Sequence, residues 1–84
     1  MGRAYVIKAD GTYQPLDHRP TLEEAQEIVG GYIEFVKLPM RQTMVVNELG
    51  RFGELPFNAN ATALHGRSVL VGDVIVLEGW RTVG

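Results

Sequence analysis

Residues 21–31 read Thr-Leu-Glu-Glu-Ala-Gln-Glu-Ile-Val-Gly-Gly, and no other stretch of the 84 residues constrains the fold as tightly. Thr21 and Glu24 have capping-box spacing: the hydroxyl can accept from the Glu24 amide while the carboxylate returns to the Thr21 amide. Leu22, Ala25, Ile28 and Val29 then fall on one helical face, with Glu23, Gln26 and Glu27 on the other. Gly30 or Gly31 supplies the left-handed residue that stops the helix, so the pair closes a helix and does not open one. A helix of about ten residues is marginal alone and must be held by packing on a sheet.

The flanking segments supply that sheet. Residues 3–8 carry Tyr5, Val6 and Ile7 and stop at Ala9-Asp10-Gly11, a turn signal. Residues 12–16 return as a partner that is short or at an edge, because Pro15 cannot donate to a ladder. Residues 32–38 form a strand with Ile33 and Phe35 on one side and Tyr32, Glu34 and Val36 on the other, ended by Pro39. Residues 43–47 pair with it as an antiparallel hairpin; Glu48-Leu49-Gly50 turns the chain, and Arg51-Phe52-Gly53 runs back briefly. In residues 56–66, Asn58 or Asn60 caps one or two helical turns ended by Gly66. Residues 68–77 are rich in β-branched side chains interrupted by Gly72-Asp73, the pattern of a buried strand with a bulge or bend. The chain is expected to be a single compact α+β domain over residues 1–84: a mainly antiparallel, curved sheet, one amphipathic helix and one short second helix.

A chain this short buries only a little over ~60% of its unfolded surface. With 45% hydrophobic residues and no cysteine, it favours self-association as a way to hide more apolar surface. No apolar run approaches the ~20 residues that span a bilayer, so no membrane partner is expected and the default location is the cytosol. The formal net charge is −2, and the cations after residue 40 are all arginine: Arg41, Arg51, Arg67 and Arg81. That balance disfavours nucleic acid, which demands a clustered basic face, but leaves room for a small anion held by one or two arginines and some amides.

Catalytic groups are scarce. His18 and His65 are the only histidines and lack further ligands at zinc-like spacing, so no metal is expected. Ser68 is the sole serine and has no nucleophile-elbow context. Asp73 reads as turn chemistry, its carboxylate accepting local amides. No cofactor and no catalytic residue are assigned. The polar candidates for holding a ligand are Tyr32 and Glu34 on one strand face, Asn47 on a neighbouring strand, Asn58, Asn60 and Thr62 at the short second helix, and Arg51 and Arg67. Free amides at the start of that helix add a cradle for a small anion, with capping as the ordinary role of its asparagines. Trp80 is either a late core plug or an aromatic contact.

The order of Val29-Gly30-Gly31-Tyr32-Ile33-Glu34, Asn47-Glu48-Leu49-Gly50, Leu55-Pro56-Phe57-Asn58 and Val71-Gly72-Asp73-Val74 resembles a family of small domains found in phages and mobile elements. The resemblance spans nearly the whole chain and implies an accessory protein with no enzymatic residues to carry over. Small phage proteins that antagonise host defence include sponges, oligomers that sequester nucleotide-derived signals without cleaving them. The leading expectation is therefore a non-enzymatic homo-oligomer that binds a small, polar, nucleotide-like molecule. The alternatives are an inhibitor that engages a host protein and, third, a small β-barrel RNA binder.

Overall fold

The computed structural model describes residues 3–49 and 55–79. Along the chain lie β1 (Arg3–Ile7), β2 (Tyr13–Leu16), α1 (Leu22–Val29), β3 (Ile33–Leu38), β4 (Gln42–Asn47), α2 (Ala59–His65) and β5 (Val74–Glu78). The strands form one open sheet in the order β2-β1-β5-β4-β3, every neighbouring pair antiparallel. The α+β architecture expected from the sequence is present, and the sheet does not close into the barrel that an RNA-binding reading would use.

α1 has the ends its sequence dictates. Thr21 Oγ1 accepts from the Glu24 amide at 3.1 Å, and Glu24 Oε1 accepts from the Thr21 amide at 2.9 Å. Gly30, at φ 83°, is the left-handed cap that turns the chain toward β3. Pro15 sits on the edge strand β2, opposite Tyr5, and β3 is the other edge.

The last strand of the chain lies in the middle of the sheet. Val74, Ile75, Val76 and Leu77 are all fully buried, so both faces of β5 are covered, which explains a continuous apolar run instead of an alternating one. On one face α1 packs Ala25 and Val29 against Ala4, Val6, Val45, Ile75 and Leu77. On the other, Ala61 of α2 meets Ile7, Leu38, Met44, Val46, Val74 and Val76, with Val36 and Leu70 packed beside them.

The edge strand and the last apolar run differ in detail from what the sequence suggests. On the side of β3 that carries Tyr32, Glu34 and Val36, Tyr32 and Glu34 are exposed, but Val36 is half-buried against the cluster that Ala61 of α2 and Leu70 complete. Phe35, on the same side as Ile33, remains 43% exposed, because β3 is the edge strand. The strand expected over 68–77 is shorter, with Val71 making only an isolated bridge to Phe57 and Gly72, at φ 76°, turning the chain into β5.

Candidate functional site

Tyr32, Asn47 and Asn58, among the residues singled out by the sequence, lie at one end of the sheet, where β1 and β4 finish and β3 and β5 begin. Asn47, the last residue of β4, reaches the end of α1: its Nδ2 donates to the Val29 carbonyl at 3.0 Å and its Oδ1 accepts from the Leu49 amide at 2.8 Å. Helix C-termini leave carbonyls without partners, and here a side chain from the neighbouring strand supplies one. Gly31 passes so close that a methyl group there would stand 3.0 Å from Asn47 Nδ2. The Glu48 amide donates to the Tyr32 carbonyl at 2.8 Å, continuing the β3–β4 ladder past Ile33 and Asn47. The glycine pair and the Asn-Glu-Leu segment are therefore parts of one joint.

Asn58 makes a second joint. It is fully buried, caps α2 by accepting from the Ala61 amide at 3.0 Å, and donates both amide hydrogens, to the carbonyls of Ile7 at 2.9 Å and Gly72 at 2.8 Å. Both of its N–H donors are used within the fold, and its oxygen holds the helix cap. Thr62 Oγ1 accepts from the Leu70 amide at 2.8 Å, pinning α2 to the segment before β5. Asn60 lies near the hairpin turn, its Nδ2 3.4 Å from the Gly11 carbonyl.

A third joint corrects the reading of Asp73 as an acceptor of local amides. Its Oδ1 accepts at 2.9 Å from the amide of Ala9, 64 residues away, tying the end of β1 to the start of β5. Proximity in sequence hides this role, since only the sheet order brings Ala9 alongside.

Among these joints lies an open groove of about 230 Å³, lined by Gly30, Gly31, Tyr32, Asn47, Leu49 and Leu55. Tyr32 is 69% exposed and Leu49 59%. Of the expected ligand residues, the structure brings Tyr32 and Asn47 together here. Glu34 is exposed further along β3, Arg67 is exposed beyond α2, and Asn58, Asn60 and Thr62 belong to the α2 joint. Arg51 and Trp80 lie outside the described residues.

A second groove, about 380 Å³, lined by Arg3, Ala4, Tyr5, Tyr13, Pro15 and Glu78, was not expected from the sequence. The rings of Tyr5 and Tyr13 lie 6.0 Å apart, tilted by 32°. A usable signal was present: a hairpin about Asp10-Gly11 puts Tyr13 opposite Ile7, hence on the face of Tyr5. Burial raises the Tyr5 phenol above its ordinary pKa, and the Glu78 carboxylate and Tyr13 push it the same way.

His18 sits apart, exposed, before α1. Its Nδ1 lies 2.6 Å from Asp17 Oδ1 and its Nε2 3.1 Å from Glu24 Oε1. Hydrogen bonding to Asp17, then to Glu24, raises its pKa, while Asp17 and Glu24 are both lowered. The ring thus serves an ionic cluster around the helix cap. Among the described residues no group of three or more His, Cys, Asp or Glu is placed to hold a metal ion.

A family model described as a domain of unknown function (DUF3846) matches residues 2–82, almost the entire length. The chain belongs to the DUF3846 family. No curated protein and no solved structure matches it. The match to DUF3846 takes in all three joints and both grooves. Among the described residues of this DUF3846 domain no helix is long and apolar enough to cross a membrane.

Proposed function

We propose that this DUF3846 domain is a non-enzymatic binding protein that holds a small, polar, nucleotide-like molecule at the groove around Tyr32. The observation that carries the proposal is the exposed Tyr32 ring beside the open backbone of Gly30 and Gly31, over a floor fixed by Asn47. A planar base can stack on such a ring. The second N–H of the Asn47 amide has no partner among the described residues and is available to a ligand acceptor.

Binding without turnover is supported by how Asp73 and His18 are used. Asp73 holds Ala9, and the ring nitrogens of His18 are taken up by two carboxylates away from the groove. At about 230 Å³ the groove is smaller than the ~300–1,000 Å³ typical of small-molecule sites, so it takes one planar head group and leaves the rest of the ligand over the rim. The resemblance to small phage and mobile-element domains extends the proposal to an anti-defence sponge in the host cytosol, its ligand a nucleotide-derived signal.

Calorimetric titration with cyclic nucleotides and ADP-ribose derivatives tests the proposal. Saturable binding that is lost in Tyr32→Ala supports it. No response across the panel, together with a stoichiometric host protein recovered from lysate, replaces it with the inhibitor reading.

A further inference from the structure

The two edges of the sheet are not equivalent. In an antiparallel ladder, residues whose N–H and C=O point toward one neighbour alternate with residues whose groups point away from it. The Glu48 amide donates to the Tyr32 carbonyl, so Tyr32 and, by alternation, Glu34, Val36 and Leu38 direct their backbone groups toward β4. The Gly79 amide donating to the Arg41 carbonyl gives the same phase from the opposite side: Arg41 faces β5, Gln42 faces β3, and Gln42 is the partner of Leu38. Ile33, Phe35 and Lys37 therefore turn their N–H and C=O groups outward from the sheet.

On the other edge, the Lys8 amide donates to the Thr12 carbonyl, which leaves Tyr13 and Pro15 pointing outward from β2. Pro15 has no N–H, so that edge is blunted at its centre. β3 is longer, lacks proline, and is flanked by exposed apolar side chains: Tyr32 at 69%, Phe35 at 43% and Met40 at 91%. Natural proteins cover or blunt such an edge.

We infer that the β3 edge pairs with the β3 edge of a second copy of this chain, antiparallel about a two-fold axis through Phe35. A two-fold axis perpendicular to the sheet keeps each face on its own side, so a residue can only oppose one of the same parity. Centring on Phe35 satisfies this and uses all the outward groups. Phe35 opposes the partner's Phe35, and Ile33 opposes the partner's Lys37, each pair exchanging both of its N–H···O bonds. On the opposite face Tyr32 lies across from the partner's Leu38, and Glu34 across from the partner's Val36. No like charges meet, and the exposed Phe35 ring gains an aromatic neighbour.

The same register has a consequence for the groove. Past the strand ends it sets Gly31 level with the partner's Pro39 and Gly30 level with the partner's Met40, so the turn after the partner's β3 adjoins the groove that Gly30 and Gly31 line. The wall that a single copy lacks then comes from the second. This last step rests on the binding proposal; the dimer rests on strand geometry alone.

The absence of native cysteine makes the test clean. In Phe35→Cys the two introduced residues face each other at a Cα separation of ~5.5 Å, inside the disulfide range. In Lys37→Cys the two thiols are roughly 14 Å apart along the strand. The expected result is a native dimer by sedimentation, oxidation of Phe35→Cys to a covalent dimer, no such product from Lys37→Cys, and a folded monomer for Phe35→Glu. A native chain that sediments as a monomer at high-micromolar concentration overturns the inference, as does cross-linking of Lys37→Cys as readily as Phe35→Cys. Neither readout involves a ligand, so the dimer and the binding proposal fail separately.

Discussion

The side chain of Asn58 donates to the carbonyl of Ile7 at 2.9 Å, across 51 residues of sequence. Ile7 ends β1, Asn58 starts α2, and the same amide group also holds the Gly72 carbonyl ahead of β5. One buried side chain thus fastens the second helix to the end of the sheet, behind the groove that carries Tyr32. Leu55 connects the two regions: it lines the groove, and a methyl group on Gly72 would meet its Cδ1 at 3.0 Å.

Asn58→Ala should destabilise the domain by about 3 kcal/mol, combining a lost helix cap with two lost hydrogen bonds to buried carbonyls. Asn58→Asp is expected to be at least as harmful, although aspartate caps helices well, because its carboxylate would face two carbonyl oxygens. Urea unfolding of both variants provides the check. An Asp variant as stable as the native chain would show that the cap alone matters at this position.

Gly31 and Asn47 should be energetically coupled. Gly31→Ala presses its methyl group on Asn47 Nδ2, so the neighbour must give by a few tenths of an ångström. The substitution is expected to cost about 1 kcal/mol in the native background and much less in Asn47→Ala, where the obstructing amide is gone. A double-mutant cycle of unfolding free energies reads that coupling directly, and simple additivity would dissolve the joint.

His18 should titrate above the ordinary histidine value of about 6.5. Its folded pKa is raised, so what it contributes to stability is present below that ordinary value and lost as pH rises through the folded one. Asp17 and Glu24 are lowered, so their part is present above the usual carboxylate range and lost as pH falls through their folded values. The cluster is fully engaged only between those limits, and its exposure keeps the effect on stability small. An NMR titration should show the His18 pKa falling in Asp17→Asn, since the Asp17 hydrogen bond is the larger cause.

Tyr5 offers a test of the second groove. Its phenol is raised by burial first and by Glu78 next, so Glu78→Gln should bring it part of the way back toward the ordinary tyrosine value. Ultraviolet titration of the native and Gln forms, with Tyr13→Phe and Tyr32→Phe to simplify the signal, measures the change. An unchanged Tyr5 transition would mean that the carboxylate does not act on the ring.

Local chemistry was legible in the sequence wherever both partners lie within a few residues. The capping box of Thr21 and Glu24, the left-handed Gly30, the edge position of Pro15 and the β3–β4 hairpin all follow from short spacings. What stayed hidden depends on sheet order. β5 enters between β1 and β4, and only that placement brings Asp73 to Ala9 and Asn58 to Ile7. Roofing of the second face by α2 was hidden for the same reason, since only the sheet order shows which surface Ala61 packs on. Tyr32 and Asn47 were expected on adjacent strands, and they do share a groove. Tyr5 and Tyr13 were missed although the hairpin register alone would have paired them.

The most direct test of holding without turnover is recovery of the ligand. The protein is saturated with whichever member of the nucleotide panel it binds, incubated, denatured, and the released molecule is weighed by mass spectrometry. The expected result is the intact compound, bound by the native protein and not by a folded Tyr32→Ala variant. A chemically altered product that depends on the protein, or equal capture by Tyr32→Ala, would contradict the proposed function.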